Sequence, residues 1–319
     1  MGPVSLKQRI DDAVKAIGAK SVPEFGIILG TGLGGVAQAI QVEQKFSYEA
    51  LPHFAKSTAH GHKGDLLLGT LAEGLVAETR VPYGQIPHFA VSTVESHKGE
   101  LVFGRLGGRP AVVMSGRVHY YEGYTMRQIS FPVRVMQALG ARTLIVSNAC
   151  GGMNPLHEAG DIMVVTDHIN LMGDNPLIGP NDETMGPRFP DMSEPYDRAL
   201  IRLAESVALA EGLRLQKGVF VAVAGPNLET AAEYRFLRGI GADVVGMSLI
   251  PENLVAVHGG MRVLAFAVIT DRCLPDALEP VDIPRILAVA AEAAPRLDRL
   301  VTRVVARLNE VPQSGERHA

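Results

Sequence analysis

The sequence contains no tryptophan, two cysteines and no uninterrupted apolar stretch long enough to cross a lipid bilayer. Cys150 and Cys273 form neither a disulfide framework nor a paired spacing of metal ligands, so we expect reduced thiols and no structural metal site. The first 20 residues have the pattern of an amphipathic helix and not that of a targeting signal. We therefore expect a cytoplasmic protein.

An excess of positive charge is also missing. The 319-residue chain has 30 Lys and Arg against 34 Asp and Glu, a formal net charge of −4, and a sequence pI near 6.2. This balance argues against the broad basic surface that nucleic acids or anionic membranes require. We expect a small-molecule partner, no nucleic acid and no membrane, and any anion must be bound by a local cluster of residues.

Apolar strand-like runs alternate with helical patterns along the chain. Strands are predicted at residues 25–29, 111–114, 143–147, 161–166, 219–224, 243–247 and 262–270. Helices are predicted at residues 126–139, 196–211, 229–240, 251–258 and 283–308. Alternation of this kind predicts an α/β fold with a mixed, mostly parallel central sheet flanked by helices. Because no linker-like segment divides the chain, residues 1–319 are predicted to form a single domain.

One segment of the chain occurs twice. Residues 51–71 and 86–106 align without gaps and are identical at 12 of 21 positions. Two copies are too few for a solenoid, so we interpret them as a tandem duplication of a loop and hairpin unit. Each copy has a histidine in a similar setting, His62 and His97, and we expect only one of them to reach a given site.

Polar side chains follow the predicted strand at residues 111–114. Arg117 and His119 lie two positions apart beyond its carboxyl end, and ligands of open α/β sheets bind at that edge. The guanidinium provides a planar fork for a phosphate or carboxylate, and the imidazole a further donor. We interpret the pair as an anion site. The alternative is a solvated strand end at which Arg117 pairs with Glu122.

A glycine-rich segment with the sequence GTGLGG, residues 30–35, follows the first predicted strand. Its glycines let backbone N–H groups approach a phosphate, and Thr31 adds a hydroxyl. Because the segment also matches the dinucleotide fingerprint G-x-G-x-x-G, a Rossmann oxidoreductase is an alternative of a different class. A tight turn without any ligand is the purely structural alternative.

Small and acidic residues follow the later strands. Residues 147–155 (SNACGGMNP) and 224–230 (AGPNLET) are two such strand ends. Glu229 either accepts N–H donors from a heterocycle or stabilises the start of the next helix. Residues 245–248 and Asp271 follow two more strands and add an apolar bed and a second carboxylate.

Together these segments resemble the trimeric class of purine nucleoside phosphorylases. The matching motifs run in family order over nearly the whole chain: GTGLGG at Gly30, HKG at His62 or His97, GRVHYYEGY at Gly116, SNACGGMNP at Ser147, DHINL at Asp167, NPLIGPND at Asn175, RFPDMS at Arg188, AGPNLET at Ala224, GADVVGMSLIPE at Gly241 and ITD at Ile269. No single motif is specific for this family, but the set of motifs is.

The resemblance implies roles for individual residues. Phosphate would be held by Thr31, Arg117, His119, the backbone at Ala149, Ser248 and either His62 or His97, of which His62 keeps the family's preceding glycine. The nucleoside would contact Tyr121, Leu228, Glu229, Val245, Met247, Asp271 and Ile283. The catalytic residues would be His119, Glu229 and Asp271. Phe189 would complete the site of a neighbouring subunit in a homotrimer.

The reaction so implied is reversible phosphorolysis of purine ribonucleosides and deoxyribonucleosides to the free base and the sugar 1-phosphate, as in purine salvage. Inorganic phosphate would be a co-substrate, and no metal or organic cofactor is expected. Bound phosphate would act as nucleophile and as counter-charge to an oxocarbenium-like sugar.

Three positions depart from the family pattern. Asp271 replaces the asparagine of members that prefer 6-oxopurines and matches the related methylthioadenosine phosphorylases. Ile283 stands where the family has a histidine for the ribose 5′-hydroxyl, and Leu228 where it has an aromatic residue. Glu229, however, is typical of the 6-oxopurine readers. We expect inosine and guanosine to be favoured, with a methylthioadenosine or 6-aminopurine nucleoside phosphorylase as the alternative.

Overall fold

The computed structural model describes residues 5–19, 22–30, 76–90 and 100–311. Thr31, His62 and His97 lie outside these residues. So does the whole first copy of the duplicated unit, and only residues 86–90 and 100–106 of the second copy are described. The interpretation of the two segments as a duplicated hairpin therefore stays a prediction.

The described chain alternates between strands and helices, as the sequence patterns predict. The strands are β1 (Phe25–Leu29), β2 (Val76–Pro82), β3 (Glu100–Leu106), β4 (Arg109–Ser115), β5 (Thr143–Gly152), β6 (Ile162–Leu171), β7 (Leu215–Val223), β8 (Val244–Gly246) and β9 (Arg262–Arg272). The helices are α1 (Leu6–Ile17), α2 (Met126–Ala138), α3 (Arg198–Ala210), α4 (Ala231–Gly239), α5 (Ile250–His258) and α6 (Ile283–Ala306). The sequence patterns did not indicate β2 and β3.

The strands form one mixed sheet in the order β2-β3-β4-β1-β5-β8-β7-β6-β9, and β9 also pairs with β5. That last pairing closes β5, β8, β7, β6 and β9 into a ring. Strand β1 is parallel to both of its neighbours, whereas β2, β3 and β4 run antiparallel to one another at the open edge. The predicted α/β fold with a mixed central sheet is confirmed. The antiparallel edge comes from β2 and β3, which the patterns missed.

Helix starts follow local capping chemistry. Ser5, Thr125, Thr230 and Asp282 each accept a hydrogen bond from a backbone N–H in the first turn of α1, α2, α4 and α6, respectively. Such a cap stabilises a helix by about 1 kcal/mol. Among the helices that the structure describes, none is both long and apolar enough to cross a membrane.

The helices cover the sheet and complete the core. Helix α2 packs against α5 and α1, and α3 packs against α6, which also contacts β9 and β3. Phe25, Ile27 and Ile28 of β1 are almost fully buried, as expected for a central strand covered on both faces. The sheet therefore provides a rigid base from which the strand ends project.

One irregularity in the sheet bears on the site. Along the parallel pair β5 and β9, Cys150 is opposite Ile269 and Gly151 is opposite Asp271, so Thr270 is an extra residue on β9. A bulge of this kind changes the direction of the following side chains, and bulges are frequent next to active sites.

Candidate active site

A cavity of about 200 Å³ lies where the carboxyl ends of several strands meet. Its walls come from Gly30 after β1, from the segments after β4 and β7, and from the ends of β5, β8 and β9. Ligands of open α/β sheets bind at this edge. The topology therefore brings together residues that are far apart in sequence.

Most of the predicted site residues line this one cavity. Those predicted to hold phosphate are Arg117, His119, Ala149 and Ser248. Those predicted to contact the nucleoside are Tyr121, Leu228, Glu229, Val245, Met247, Asp271 and Ile283. Phe189 does not line the cavity, and its side chain is 86% exposed. Thr31, His62 and His97 lie outside the described residues.

Arg117 is buried and already paired. Its Nη1 donates to Glu252 Oε1 at 3.0 Å, and its Nη2 donates to the backbone carbonyl of Ser147. Both charged side chains are 2% exposed. The alternative in which Arg117 pairs with Glu122 at a solvated strand end is therefore wrong, because α5 places Glu252 against the guanidinium instead.

Glu122 is hydrogen-bonded to the neighbouring His119. Its carboxylate accepts from the His119 backbone N–H at 2.8 Å and lies 2.9 Å from His119 Nδ1. The His119 ring stacks on Tyr121 with centroids 4.7 Å apart. Burial lowers the pKa of His119, although the hydrogen bond to Glu122 acts in the opposite direction. With its Nδ1 proton directed at Glu122, a neutral ring presents Nε2 as an acceptor.

The N-terminus of α5 lies at the end of the cavity where Arg117 is found. Ser248 lies just before the helix, and Leu249 between them has a φ of +75°, a left-handed conformation that is costly for a residue other than glycine. The first N–H groups of a helix and its dipole favour a bound anion. The strained turn therefore places Ser248 and the helix start beside Arg117.

Two acidic residues lie at the other end of the cavity. Burial raises the pKa of Glu229, which is partly offset by hydrogen bonds from its own backbone N–H and from Tyr234. Asp271 accepts from the Thr270 hydroxyl at 2.8 Å and from the Cys273 thiol at 3.1 Å. The cavity thus has one end with Arg117, His119 and Ser248 and another end with two carboxylates.

Apolar side chains separate the two ends. Met247 packs against Gly225, where a Cβ would lie 2.3 Å from the methionine sulfur and the φ of +67° also favours glycine. Ile283 and Ile286 at the start of α6 form an apolar wall of the cavity. Ile283 thus presents an apolar side chain to the cavity at the position where the resemblance implies a histidine for the ribose 5′-hydroxyl.

The carboxylate end opens into a second cavity of about 630 Å³. The two cavities share Leu228, Glu229, Tyr234, Thr270, Asp271, Cys273 and Ile286. Beyond them the second cavity is bounded by residues 277–282 and by Arg285. Glu229 and Asp271 therefore lie at the boundary of two connected spaces.

Sequence reasoning gave no role to Glu252, Tyr234 or Cys273. Glu252 lies in the first turn of a predicted helix, where acidic residues are common, so it did not stand out in the sequence. Its partner Arg117 is 135 positions away. Tyr234 and Cys273 had no distinguishing pattern, because their importance depends on contacts across the ends of β9 and α4.

The sequence model of the phosphorylase superfamily matches residues 66–306. The chain is 43% identical over 304 residues to purine nucleoside phosphorylase 1 of Bacillus subtilis, an alignment that covers 95% of this chain and 99% of that protein. It is 46% identical over 300 residues to the purine nucleoside phosphorylase of Bos taurus, covering 92% and 91% of the two chains.

Among solved structures, a Schistosoma purine nucleoside phosphorylase in complex with hypoxanthine superimposes with a TM-score of 0.79 at 35% identity. The superposition covers 96% of this chain and 99% of that one. The match in sequence and in fold extends over the strand ends that form the cavity. The chain therefore belongs to the phosphorylase superfamily and, within it, to the family of purine nucleoside phosphorylases.

Proposed function

We propose that this protein catalyses the reversible phosphorolysis of purine ribonucleosides and deoxyribonucleosides to the free base and the sugar 1-phosphate. One observation carries the proposal: Arg117, Glu229 and Asp271 line the same cavity. A cation that binds phosphate beside the sugar and two carboxylates that contact the purine edge can thus act on the same bound nucleoside. The names of the relatives agree with this activity.

The phosphate end supplies positioning and charge. Phosphate would bind between Arg117, Ser248 and the N-terminus of α5, with Thr31 and one of His62 or His97 completing the site. Held next to the sugar, it attacks C1′ as the glycosidic bond breaks and offsets the positive charge that develops on the sugar. His119 would take part through Nε2, accepting a proton from bound phosphate when the ring is neutral.

The purine at the carboxylate end would receive the electrons of the breaking glycosidic bond. The departing purine becomes negatively charged, and a group that holds or delivers a proton there lowers the barrier. Glu229 is one group at this edge, where its carboxylate would accept from the N1–H of the base. Asp271 is the second group at this edge.

Inosine and guanosine are the substrates we favour, because Glu229 suits the N1–H of a 6-oxopurine. The alternative is a 6-aminopurine nucleoside such as methylthioadenosine. Two observations support that alternative: Asp271 presents acceptor oxygens, and Ile283 and Ile286 make the wall apolar at the predicted 5′ position. Initial rates on inosine, guanosine, adenosine and methylthioadenosine at fixed phosphate would decide between them.

We further propose a homotrimer in which Phe189 of each subunit completes the site of its neighbour. The phenylalanine on the segment between β6 and α3 is exposed, so its ring is available for contact with a neighbouring subunit. We place the protein in the cytoplasm and in purine salvage, in keeping with two buried free thiols. Phosphate is the co-substrate, and we propose no other cofactor.

The test is ultraviolet detection of base release from inosine with and without phosphate. Release that depends on phosphate and yields ribose 1-phosphate supports the proposal. Release independent of phosphate would indicate a hydrolase, and no release from any of the four nucleosides would refute the assignment. The Rossmann oxidoreductase is no longer an alternative, since the chain belongs to a different superfamily.

A further inference from the structure

The carboxylate of Asp271 is held on both sides by protein donors. The Thr270 hydroxyl lies 2.8 Å from Oδ1, and the Cys273 thiol lies 3.1 Å from Oδ2. Thr270 and Cys273 are 4% and 1% exposed, so packing fixes the positions of both donors. Since each donor is directed at a different oxygen, the carboxylate plane cannot rotate without losing one of them.

The backbone places the thiol at this position. Thr270 is the extra residue of the bulge in β9, and its hydroxyl also lies 3.1 Å from the Cys150 carbonyl oxygen. The Cys273 N–H donates to the Gly152 carbonyl at 2.7 Å. A Cβ on Gly151 would lie 2.5 Å from the Cys273 sulfur, so glycine at 151 makes room for the thiol.

The same thiol connects the two carboxylates. The Tyr234 side chain, on α4, lies close enough to Cys273 and to Glu229 to offset part of the rise that burial causes in the pKa of both. Tyr234 is 3% exposed, so its position is set by packing. A continuous series of contacts therefore runs from Glu229 through Tyr234 and Cys273 to Asp271.

We propose that Cys273 is a positioning residue that determines base selectivity, because its thiol, together with Thr270, holds Asp271 as a fixed hydrogen-bond acceptor at the carboxylate end of the cavity. This inference rests on the proposed function. A fixed acceptor pairs with the exocyclic amino group of a 6-aminopurine, whereas the oxygen of a 6-oxopurine has no proton to offer it. Cys273 therefore raises activity on 6-aminopurine nucleosides relative to 6-oxopurine nucleosides.

The experiment compares Cys273→Ala with Cys273→Ser. Alanine removes the donor with little change in volume, and serine keeps a donor at nearly the same place. The quantity measured is the ratio of kcat/KM for adenosine to kcat/KM for inosine, together with the KM for phosphate. Cys150→Ala is the matched control, because Cys150 is also a buried thiol of this cavity but donates to the Val268 carbonyl.

In Cys273→Ala we expect the ratio to fall about three- to tenfold, the range for one lost hydrogen bond. Serine should keep the ratio within about twofold, and so should Cys150→Ala. The KM for phosphate should not change in the Cys273 variants, because phosphate binds at the opposite end. A purely structural role would lower both substrates' kcat/KM together and leave the ratio unchanged.

The inference is overturned if Cys273→Ala leaves the ratio unchanged, or if serine lowers it as much as alanine. Should Cys273→Ala fail to fold, Thr270→Val removes the other donor to Asp271, and an unchanged ratio there has the same meaning. Failure of the proposed function is a distinct outcome: the unmodified protein would then release no base from either nucleoside in the presence of phosphate.

Discussion

The guanidinium of Arg117 and the carboxylate of Glu252 form a buried ion pair, with Nη1 and Oε1 3.0 Å apart and both side chains 2% exposed. Glu252 lies on α5, whose N-terminus is beside Ser248 at the same end of the cavity. The cation predicted to bind phosphate is therefore held in place by a second charge before any substrate arrives. Removing one partner of a buried pair costs about 3–5 kcal/mol, since the other charge stays buried.

Replacing Arg117 by alanine should reduce kcat/KM for phosphate about 10- to 150-fold, the equivalent of about 1.5–3 kcal/mol for a charge-assisted contact. Lysine at this position keeps the charge but loses the planar fork, so we expect an intermediate value. Initial rates with phosphate as the varied substrate provide the measurement. Near-normal kinetics of the alanine variant would remove Arg117 from the phosphate site.

Glu252→Gln should lower Tm and at the same time increase the rise in Tm that phosphate produces. The variant leaves the Arg117 cation without its counter-charge, and bound phosphate supplies one. Thermal unfolding with and without phosphate measures both effects.

The control for this experiment is Asp197→Asn. Asp197 forms another buried pair, with Arg262 at 2.7 Å, but neither residue lines the cavity. Loss of the Asp197–Arg262 pair should lower Tm without increasing the rise in Tm that phosphate produces. If phosphate stabilises the Glu252 variant no more than the unmodified protein, Glu252 has no connection with the anion site.

Asp271→Asn should shift preference toward 6-oxopurines. An amide can donate to the purine oxygen, whereas the carboxylate only accepts. The ratio of kcat/KM for inosine to that for adenosine is expected to rise about tenfold, the effect of about 1.4 kcal/mol at one polar contact. An unchanged ratio would show that Asp271 does not contact the six-position of the base.

Phe189→Ala should raise the KM for the nucleoside and leave the KM for phosphate unchanged, because we place Phe189 at the sugar and base of a neighbouring site. Leu209→Ala is the control: Leu209, on α3, is similarly exposed at 83% but has no proposed role in the site. Light scattering of both variants reports the oligomeric state. A monomeric unmodified protein with full activity would contradict the trimer and this role of Phe189 together.

Acidification should destabilise the folded protein. Burial lowers the pKa of His119 and of His168 from the ordinary value of 6.5. Below that pH the histidines of the unfolded chain bind protons, whereas the buried histidines of the folded chain do not. The free energy of unfolding therefore decreases as pH falls from 6.5 toward the lowered pKa values. Burial also lowers the pKa of His157 and His258, so the raised pKa of Glu229, which acts in the opposite sense, is one group against four.

Tm measured between about pH 7.5 and pH 5.5 checks this expectation. His168→Gln removes one titrating group and can keep a polar contact with the Tyr196 hydroxyl, which lies 3.0 Å from His168 Nδ1. Its Tm should fall less steeply with decreasing pH. A Tm that is constant or rises over this range would show that the buried histidines take up protons in the folded state.

Much of the fold followed from local pattern. The predicted bounds of β1 agree with the structure, and those of α2 and α5 differ from it by one residue at one end. Periodicity succeeds for these elements because each is long or strongly apolar, and Thr125 caps the start of α2. Strands β2 and β3 were missed because neither alternates clearly and they pair with each other at the open edge of the sheet.

The sequence by itself determined the class of the protein, the family and 11 of the 20 residues that line the cavity, because strand ends of an α/β sheet converge and the motifs mark those ends. Only the tertiary structure decided how these side chains are held. It paired Arg117 with Glu252 across 135 positions and directed Thr270 and Cys273 at the two oxygens of Asp271. Such contacts depend on helix packing and on a bulge in β9, and neither leaves a periodic trace in the sequence.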